Sequence, residues 1–380
     1  MGTQAEQIRE YGLSIGFTKV GVTTADDFED FLEVLESRGN DYDFHLASPN
    51  RPLEHSRPRT VMPSAKSIVI MALDYATVKF PEQFNGRIAK VYQARCYNPP
   101  EGTLNHSRFQ LMKDFLAKDG IGFRSDINIP YRWAAARAGV STFGRNNFAY
   151  VSGAGSFVIL YGLVIDRELE PDAPTMKCKC PPDCRACVEA CPTKALCEPF
   201  KLNPRKCLAF NAWKTQTGAG FGISDSIPVE IRENMGQHYH GCDICQNVCP
   251  RNRKKLETKY PKDGFLDILA ERLTLEKLLA MPTGYYENSV KPLMYNYIKE
   301  PRYFQRNAAV AMGNSGDRAY VKALREALAG ADEMVREHAA WALGKLGGAE
   351  AGQALEAALR KEVVPLVAKE MKTALERAVS

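Results

Sequence analysis

The residues of this chain best suited to chemistry are its cysteines. There are 11 among 380 residues, and ten of them fall between Cys178 and Cys249. Cys184-x2-Cys187-x3-Cys191-Pro192 is echoed by Cys242-x2-Cys245-x3-Cys249-Pro250. Both halves follow the ferredoxin pattern, in which close cysteines grip one iron–sulfur cluster and the cysteine before proline serves the other. Residues three apart in a tight turn point at one cubane, whereas the cysteine beyond the turn faces away. Cys180 and Cys207 complete two four-cysteine sets. The first is Cys180, Cys184, Cys187 and Cys249; the second is Cys191, Cys207, Cys242 and Cys245. The Cys180–Cys184 gap is one residue longer than usual, so Cys178 is an alternative first ligand. Cys96, Cys197 and the unused one of Cys178 and Cys180 read as ordinary thiols. Paired Cys-x2-Cys motifs also suit tetrahedral zinc, but zinc has no preference for the Cys-Pro ending that both halves carry. Two [4Fe-4S] clusters, and electron transfer through them, are expected.

Such a centre needs a reducing compartment and elements to position it. The start, MGTQAEQIRE, has no basic residue leading into an apolar stretch, and Glu6 breaks the myristoylation pattern. Nothing approaches the length of apolar run that a membrane span requires. A cytoplasmic protein without a membrane partner is expected, because clustered thiols there read as metal ligands before disulfides. The net charge of +5 is too small to establish a polynucleotide partner, though it allows a local basic patch.

Three regions differ in composition. Residues 1–168 mix helical and strand signals. Glu6–Ile15, Asp26–Ser37, Leu104–Lys118 and Arg132–Ala138 read as helices, with Gly120 and Gly139 as stops. Ser67-Ile-Val-Ile-Met-Ala-Leu73 and Ser156–Ile165 read as buried strands, and the alternation argues for an α/β domain. Residues 169–262 are rich in Cys, Pro, Lys and Arg, and ligand bonds must hold them together. Residues 263–380 contain Gln305–Gly313 and Arg336–Gly344, related by an offset of 31. Ala308, Ala309, Ala311 and Gly313 recur as Ala339, Ala340, Ala342 and Gly344, a pattern that resembles HEAT-type helical repeats with a glycine ending each helix.

Taken in order, several motifs resemble the epoxyqueuosine reductases, cobalamin-dependent iron–sulfur enzymes of tRNA modification. They are Gly21-Val-Thr-Thr-Ala-Asp26, Ala138-Gly-Val-Ser-Thr-Phe-Gly-Arg-Asn146, Ala190-Cys-Pro-Thr193, Arg205-Lys-Cys207 and Tyr239–Pro250. The resemblance implies a base-off cobalamin in a reductive-dehalogenase-like α/β domain, facing one cluster of a ferredoxin-like domain. Electrons would pass through both clusters to give Co(I), and a carboxylic acid would protonate the substrate as the epoxide oxygen leaves as water. The proton donor aligns imperfectly. Arg124-Ser-Asp-Ile-Asn-Ile-Pro130 puts Ser125 at the expected place, with Asp126 one residue off as the catalytic candidate. The resemblance gives corrinoid contacts to Gly139, Gly144, Arg145, Asn146, Tyr150 and Ser156. His106 and Tyr97 fall near its pocket, while His238 and His240 flank the second motif and are placed to tune a cluster. Asp43-x-His45 lacks the rest of a cobalt-ligating His motif, in keeping with the base-off mode.

A tRNA partner should leave a basic footprint. Arg251-Asn-Arg-Lys-Lys255 follows the last cysteine, with Lys259 and Lys262 beyond, and Lys201, Arg205, Lys206 and Lys214 lie between the motifs. The leading expectation is a reductase of the epoxyqueuosine type fed by an external electron donor. The alternatives are a paralogue reducing a small organic substrate, or an electron-transfer protein that reactivates a corrinoid partner.

Overall fold

The structure, a computed structural model, describes residues 2–39, 42, 46, 51–175, 178–213, 225–294 and 300–379. Asp43, His45 and Lys214 lie outside the described residues.

The strands of the N-terminal region are β1 (Lys19–Thr24), β2 (Ser67–Asp74), β3 (Phe123–Arg124), β4 (Thr142–Phe143), β5 (Ala149–Tyr150) and β6 (Val158–Ile165), and β1, β2, β6 and β3 form one antiparallel sheet in that order. Strand β2, Ser67–Asp74, is apolar and β-branched, and every residue but the last is buried. It is therefore central, pairing with β1 (Lys19–Thr24) on one side and β6 (Val158–Ile165) on the other. The two strands expected from the sequence are both present. Strand β1 was not anticipated, because Lys-Val-Gly-Val-Thr-Thr lacks a continuous apolar run. Its Gly21 is required by packing, since a Cβ there would collide with the carbonyl oxygen of Ala138.

Helices cover both faces. Ile8 of the Gln4–Ser14 helix and Met112 and Leu116 of the Leu104–Lys118 helix pack with Val69 and Met71. Ala134 and Ala135 of the Tyr131–Arg137 helix pack with Ile68 and Ile70 on the opposite face. Gly120 is left-handed just past its helix, as the stop signal predicts. The last strand, β3, is only Phe123–Arg124 and meets β6 at Ile165 and Val164. Among the described residues, the rest of that β6 edge, from Val158 to Leu163, has no strand partner in the sheet. Its residues Val158 to Tyr161 are only half-buried despite their apolar character, so an apolar strand face stands open.

The cysteine-rich segment contains short elements, among them the helices Ala186–Glu189 and Ile244–Asn247, which start within each Cys-x2-Cys turn. It is not packed as a separate body. Leu208, Ala212, Ile227, Ile231, Met235 and Tyr239 share one core with the helical tail, so position 263 marks a change in composition rather than in packing. Buried Arg306 donates to the carbonyls of Asn211 and Ala212 at 3.1 Å, and Asn307 reaches Ala212 and Tyr239. The first repeat helix thus pins the backbone just after Cys207 and just before Cys242.

The repeats occupy the helices Pro301–Ser315 and Glu333–Leu346. Gly313 and Gly344 do not end them, as the sequence suggested; each helix runs two residues further. A Cβ on Gly313 would stand 2.9 Å from Ala342 Cα, and one on Gly344 2.7 Å from Ala374 Cα. These glycines mark where the next helix crosses, which is why the motif repeats.

Candidate functional site

The two halves of the cysteine motif interleave in space. Cys187 has Cys249, Cys184 and Cys180 as its charge neighbours. Cys242 faces Cys207 and Cys191, and Cys245 faces Cys242 and Cys207. This grouping is compatible with the crossed pattern. Cys187 and Cys245 also neighbour each other, where the sets come closest. Burial pushes the Cys187 thiol up to about 11 and the Cys242 thiol up to about 12. Among the described residues no His, Cys, Asp or Glu group is gathered tightly enough for a lone metal ion. Ligand sets of this kind deprotonate and close as their metal arrives.

Cys180 stands out within the first set. Burial raises its thiol, but the backbone N–H of Arg145, the neighbouring Cys178 and the Arg251 guanidinium outweigh this and lower it. The Cys180 N–H points to the Cys178 sulfur at 3.4 Å. Cys197 is exposed, and Cys96 is buried in the α/β core.

The α/β domain touches the first set through Tyr150. Its hydroxyl donates to Cys249 Sγ at 3.0 Å, and Asn146 Nδ2 donates to that hydroxyl and to the Cys245 carbonyl. Arg145 donates to the carbonyls of Cys184 (3.1 Å) and Pro182. Buried Ser156 bonds Gln246 and Asn252. Gly144 lies against the Tyr150 ring and has no room for a Cβ. The loop expected to hold a corrinoid thus chiefly holds the cysteine turns.

A cavity of about 770 Å³ opens instead on the uncovered face of β6. Val158–Gly162 form its floor, and Phe109, Tyr131 and Phe148 line it with Asn98, Asn128 and Arg132. Tyr97 and His106, singled out in the sequence, also line it. Of the six predicted corrinoid contacts none does. Gly139 and Tyr150 line a separate cavity of about 390 Å³, together with Lys179, Arg251 and Lys254. The larger site escaped sequence reading because it depends on β3 being too short to cover β6.

Asp126 is displaced as well. Ser125 lines the larger cavity, while Asp126 is 67% exposed and bonded to Arg124 Nε and Nη2 at 2.6 Å. That guanidinium holds the carboxyl below the usual range, so near neutral pH it has no proton to give. Among the described residues, the titratable groups facing the cavity are phenols, an imidazole and the Arg132 guanidinium. Burial, then the nearby Tyr131, pushes Tyr97 up to about 12.

The basic run after Cys249 is partly committed to the fold. Arg251 bonds Thr142 and lies 3.9 Å over the Tyr150 ring, and Lys255 pairs with Asp74. Asn252 is buried against Ser156, leaving Arg253, Lys254, Lys259 and Lys262 at the surface. The His238 Nδ1–H donates to the Met235 carbonyl at 2.8 Å, and the buried His240 ring packs tilted against Tyr92. Burial lowers His240 to about 3, so it is neutral.

An interleaved double cysteine set beside an open α/β cavity defines an iron–sulfur oxidoreductase. Residues 179–252 match the 4Fe-4S double cluster binding domain, and residues 291–376 match HEAT repeats. The epoxyqueuosine reductase of Bacillus subtilis is 31% identical over 94% of this chain and 91% of its own length. That of Escherichia coli is 27% identical over 89% and 88%. A solved structure of the Bacillus subtilis enzyme, with its catalytic Asp loop swung out of the active site, superposes with a TM-score of 0.82 at 29% identity over 98% of each chain. An epoxyqueuosine reductase solved with an epoxyqueuosine-modified tRNA stem loop superposes at 0.80, with 28% identity over 98% of each chain. The chain belongs to the epoxyqueuosine reductase family. Among the described residues no helix is long and apolar enough to cross a membrane.

Proposed function

We propose that this chain reduces epoxyqueuosine in tRNA to queuosine, taking up two electrons and two protons and releasing the epoxide oxygen as water. Cys180, Cys184, Cys187 and Cys249 would hold one [4Fe-4S] cluster, and Cys191, Cys207, Cys242 and Cys245 the other, with Cys178 spare. The single observation that supports this most is the interleaving of the two motif halves, with Cys187 against Cys245. It gives electrons a short route from one set to the next.

The larger cavity fits a corrinoid by its chemistry. An apolar strand face with an unpaired backbone edge suits a flat macrocycle, and Asn98, Asn128 and Arg132 suit its amide side chains. A corrinoid bound there would supply a strongly reducing cobalt centre. Gly139, Gly144, Arg145, Asn146, Tyr150 and Ser156 would then act at one remove, by fixing the cluster turns against the cavity wall. The exposed lysines after Cys249 would meet phosphates, a sequence-independent and salt-sensitive contact.

Asp126 serves as the acid if its loop turns into the cavity. The relative solved with its catalytic Asp loop swung out gives a precedent for such motion. A second reading is favoured by the lining itself, which has phenols and no carboxylate. There Tyr97 or Tyr131 protonates a different, smaller substrate. Turnover of an epoxyqueuosine stem loop by Asp126→Asn and Tyr97→Phe separates the two. Loss only in Asp126→Asn supports the first reading; loss only in Tyr97→Phe, or no turnover by the parent protein, rejects it. A visible-absorbance titration with cobalamin tests the cofactor independently.

A further inference from the structure

Electrons must enter at the end of the cluster path away from the substrate cavity. The chain links the first cysteine set to that cavity: Tyr150, which donates to Cys249, directly follows the lining residue Ala149. The second set gathers Cys191, Cys207, Cys242 and Cys245. Beside it lies a different cavity of about 500 Å³, whose wall starts at Pro192, next to Cys191, and includes Arg205 and Lys206, next to Cys207. Asn211 fastens this wall by donating to the carbonyls of Arg205 (2.9 Å) and Cys207 (3.0 Å).

The rim is cationic. Lys194, Arg205 and Lys206 line the cavity against one carboxylate, Glu230, over a floor that includes buried Phe210 and Ile231. Lys194 adopts a left-handed backbone at φ 53, unusual for a side-chain-bearing residue, and Lys194 and Lys206 are both exposed. Three cations beside two ligands of one proposed cluster would draw a negatively charged partner to the place where an electron has least distance to travel. Single-stranded RNA would call for exposed rings on which bases stack, and among the described residues the one aromatic ring lining this cavity, Phe210, is buried.

We propose that this cavity is the docking site for an acidic one-electron carrier protein of the flavodoxin type, which reduces the second cluster directly. The proposal rests on the assignment of Cys191, Cys207, Cys242 and Cys245 as one ligand set. One electron leaves the carrier and enters that cluster; no bond forms or breaks, and the cluster needs no proton.

The test uses the full chain with both clusters assembled without oxygen and verified by iron and sulfide content. The rate at which the clusters' visible absorbance bleaches is followed with a reduced acidic flavodoxin, and separately with reduced methyl viologen, a small cation. The variant Lys194→Glu/Lys206→Glu should lower the flavodoxin rate constant about tenfold at low salt and abolish its salt dependence. Its viologen rate should not fall, and Lys361→Glu, on the helical tail, should match the parent with both reductants. Equal flavodoxin rates in variant and parent would overturn the proposal while leaving the cluster assignment intact. So would an equal loss with both reductants, or a loss of tRNA stem-loop binding at an unchanged flavodoxin rate. A parent protein that takes up iron for only one cluster would refute the assignment itself, and the docking site with it.

Discussion

The Tyr150 hydroxyl donates to the Cys249 sulfur at 3.0 Å, and it is the one side-chain hydrogen bond seen from the α/β domain to a cysteine sulfur of the first set among the described residues. The Asn146 amide occupies the phenol's acceptor side, which leaves the phenol proton aimed at the sulfur. Hydrogen bonds to cluster sulfurs favour the reduced, more negative state and so raise the potential. Tyr150→Phe should therefore lower the potential of one cluster. A differential loss of about 1.4 kcal/mol corresponds to about 59 mV for one electron. Redox titration followed by electron paramagnetic resonance reads the shift, and the other cluster should not move.

Arg232 and Glu337 test how the cysteine segment is joined to the tail. Both are buried; Arg232 pairs with Glu337 and also reaches Glu370 at 3.3 Å. Removing one partner leaves an uncompensated buried charge, which costs about 3–5 kcal/mol. Arg232→Met should destabilise the tail by that order, seen as a lower urea midpoint in circular dichroism. Since Arg232 also bonds the Ile227 carbonyl, iron retention should fall in the same variant.

The repeat glycines make a sharper packing test. Gly344→Ala adds a methyl 2.7 Å from Ala374 Cα. Overpacking of this kind costs about 1–3 kcal/mol, more than the roughly 1 kcal/mol of helix propensity that alanine gains. Gly264→Ala, at a position with nothing within 4 Å, should be neutral or slightly stabilising. Thermal melts of the two variants should move apart.

The two strands, the Leu104–Lys118 helix and the paired cysteine motifs could be read from the sequence because each has a local cause. Ser67–Leu73 announces a buried strand by composition, and Cys184–Cys191 and Cys242–Cys249 carry their spacing with them. The cavity has no such cause. Its floor exists because β3 stops after Arg124, and its walls come from Tyr97, Phe109 and Tyr131, which are far apart in the chain. Arg145 shows what motif spacing leaves out. Its place in the motif pointed to a corrinoid, but its guanidinium serves the carbonyls of Pro182 and Cys184. Sequence proximity to a motif identified its neighbourhood and not these bonds.

Acid should loosen the tail through Glu362. Its carboxylate accepts from Arg336 Nε (2.7 Å) and Nη2 (3.0 Å) and from the Val364 N–H (2.9 Å). The Arg336 hydrogen bond, against a smaller opposing effect of burial, holds the carboxyl below its ordinary value of 4.5. A depressed folded-state value means that the stabilisation is fully present above the ordinary carboxylate range and is lost as pH falls through the folded value. Denaturation midpoints measured from neutral to acid pH should drop in that window. Glu362→Gln should flatten this part of the profile.

The most direct measurement starts with cluster-loaded protein, cobalamin and a low-potential reductant, mixed with an epoxyqueuosine-modified tRNA stem loop in the absence of oxygen. The nucleosides are then identified by mass spectrometry. The result predicted is queuosine appearing as epoxyqueuosine disappears, with turnover lost in both Cys187→Ser and Cys245→Ser, the two cysteines where the sets meet. Epoxyqueuosine that remains intact after the clusters have been reduced and the corrinoid has bound would contradict the account.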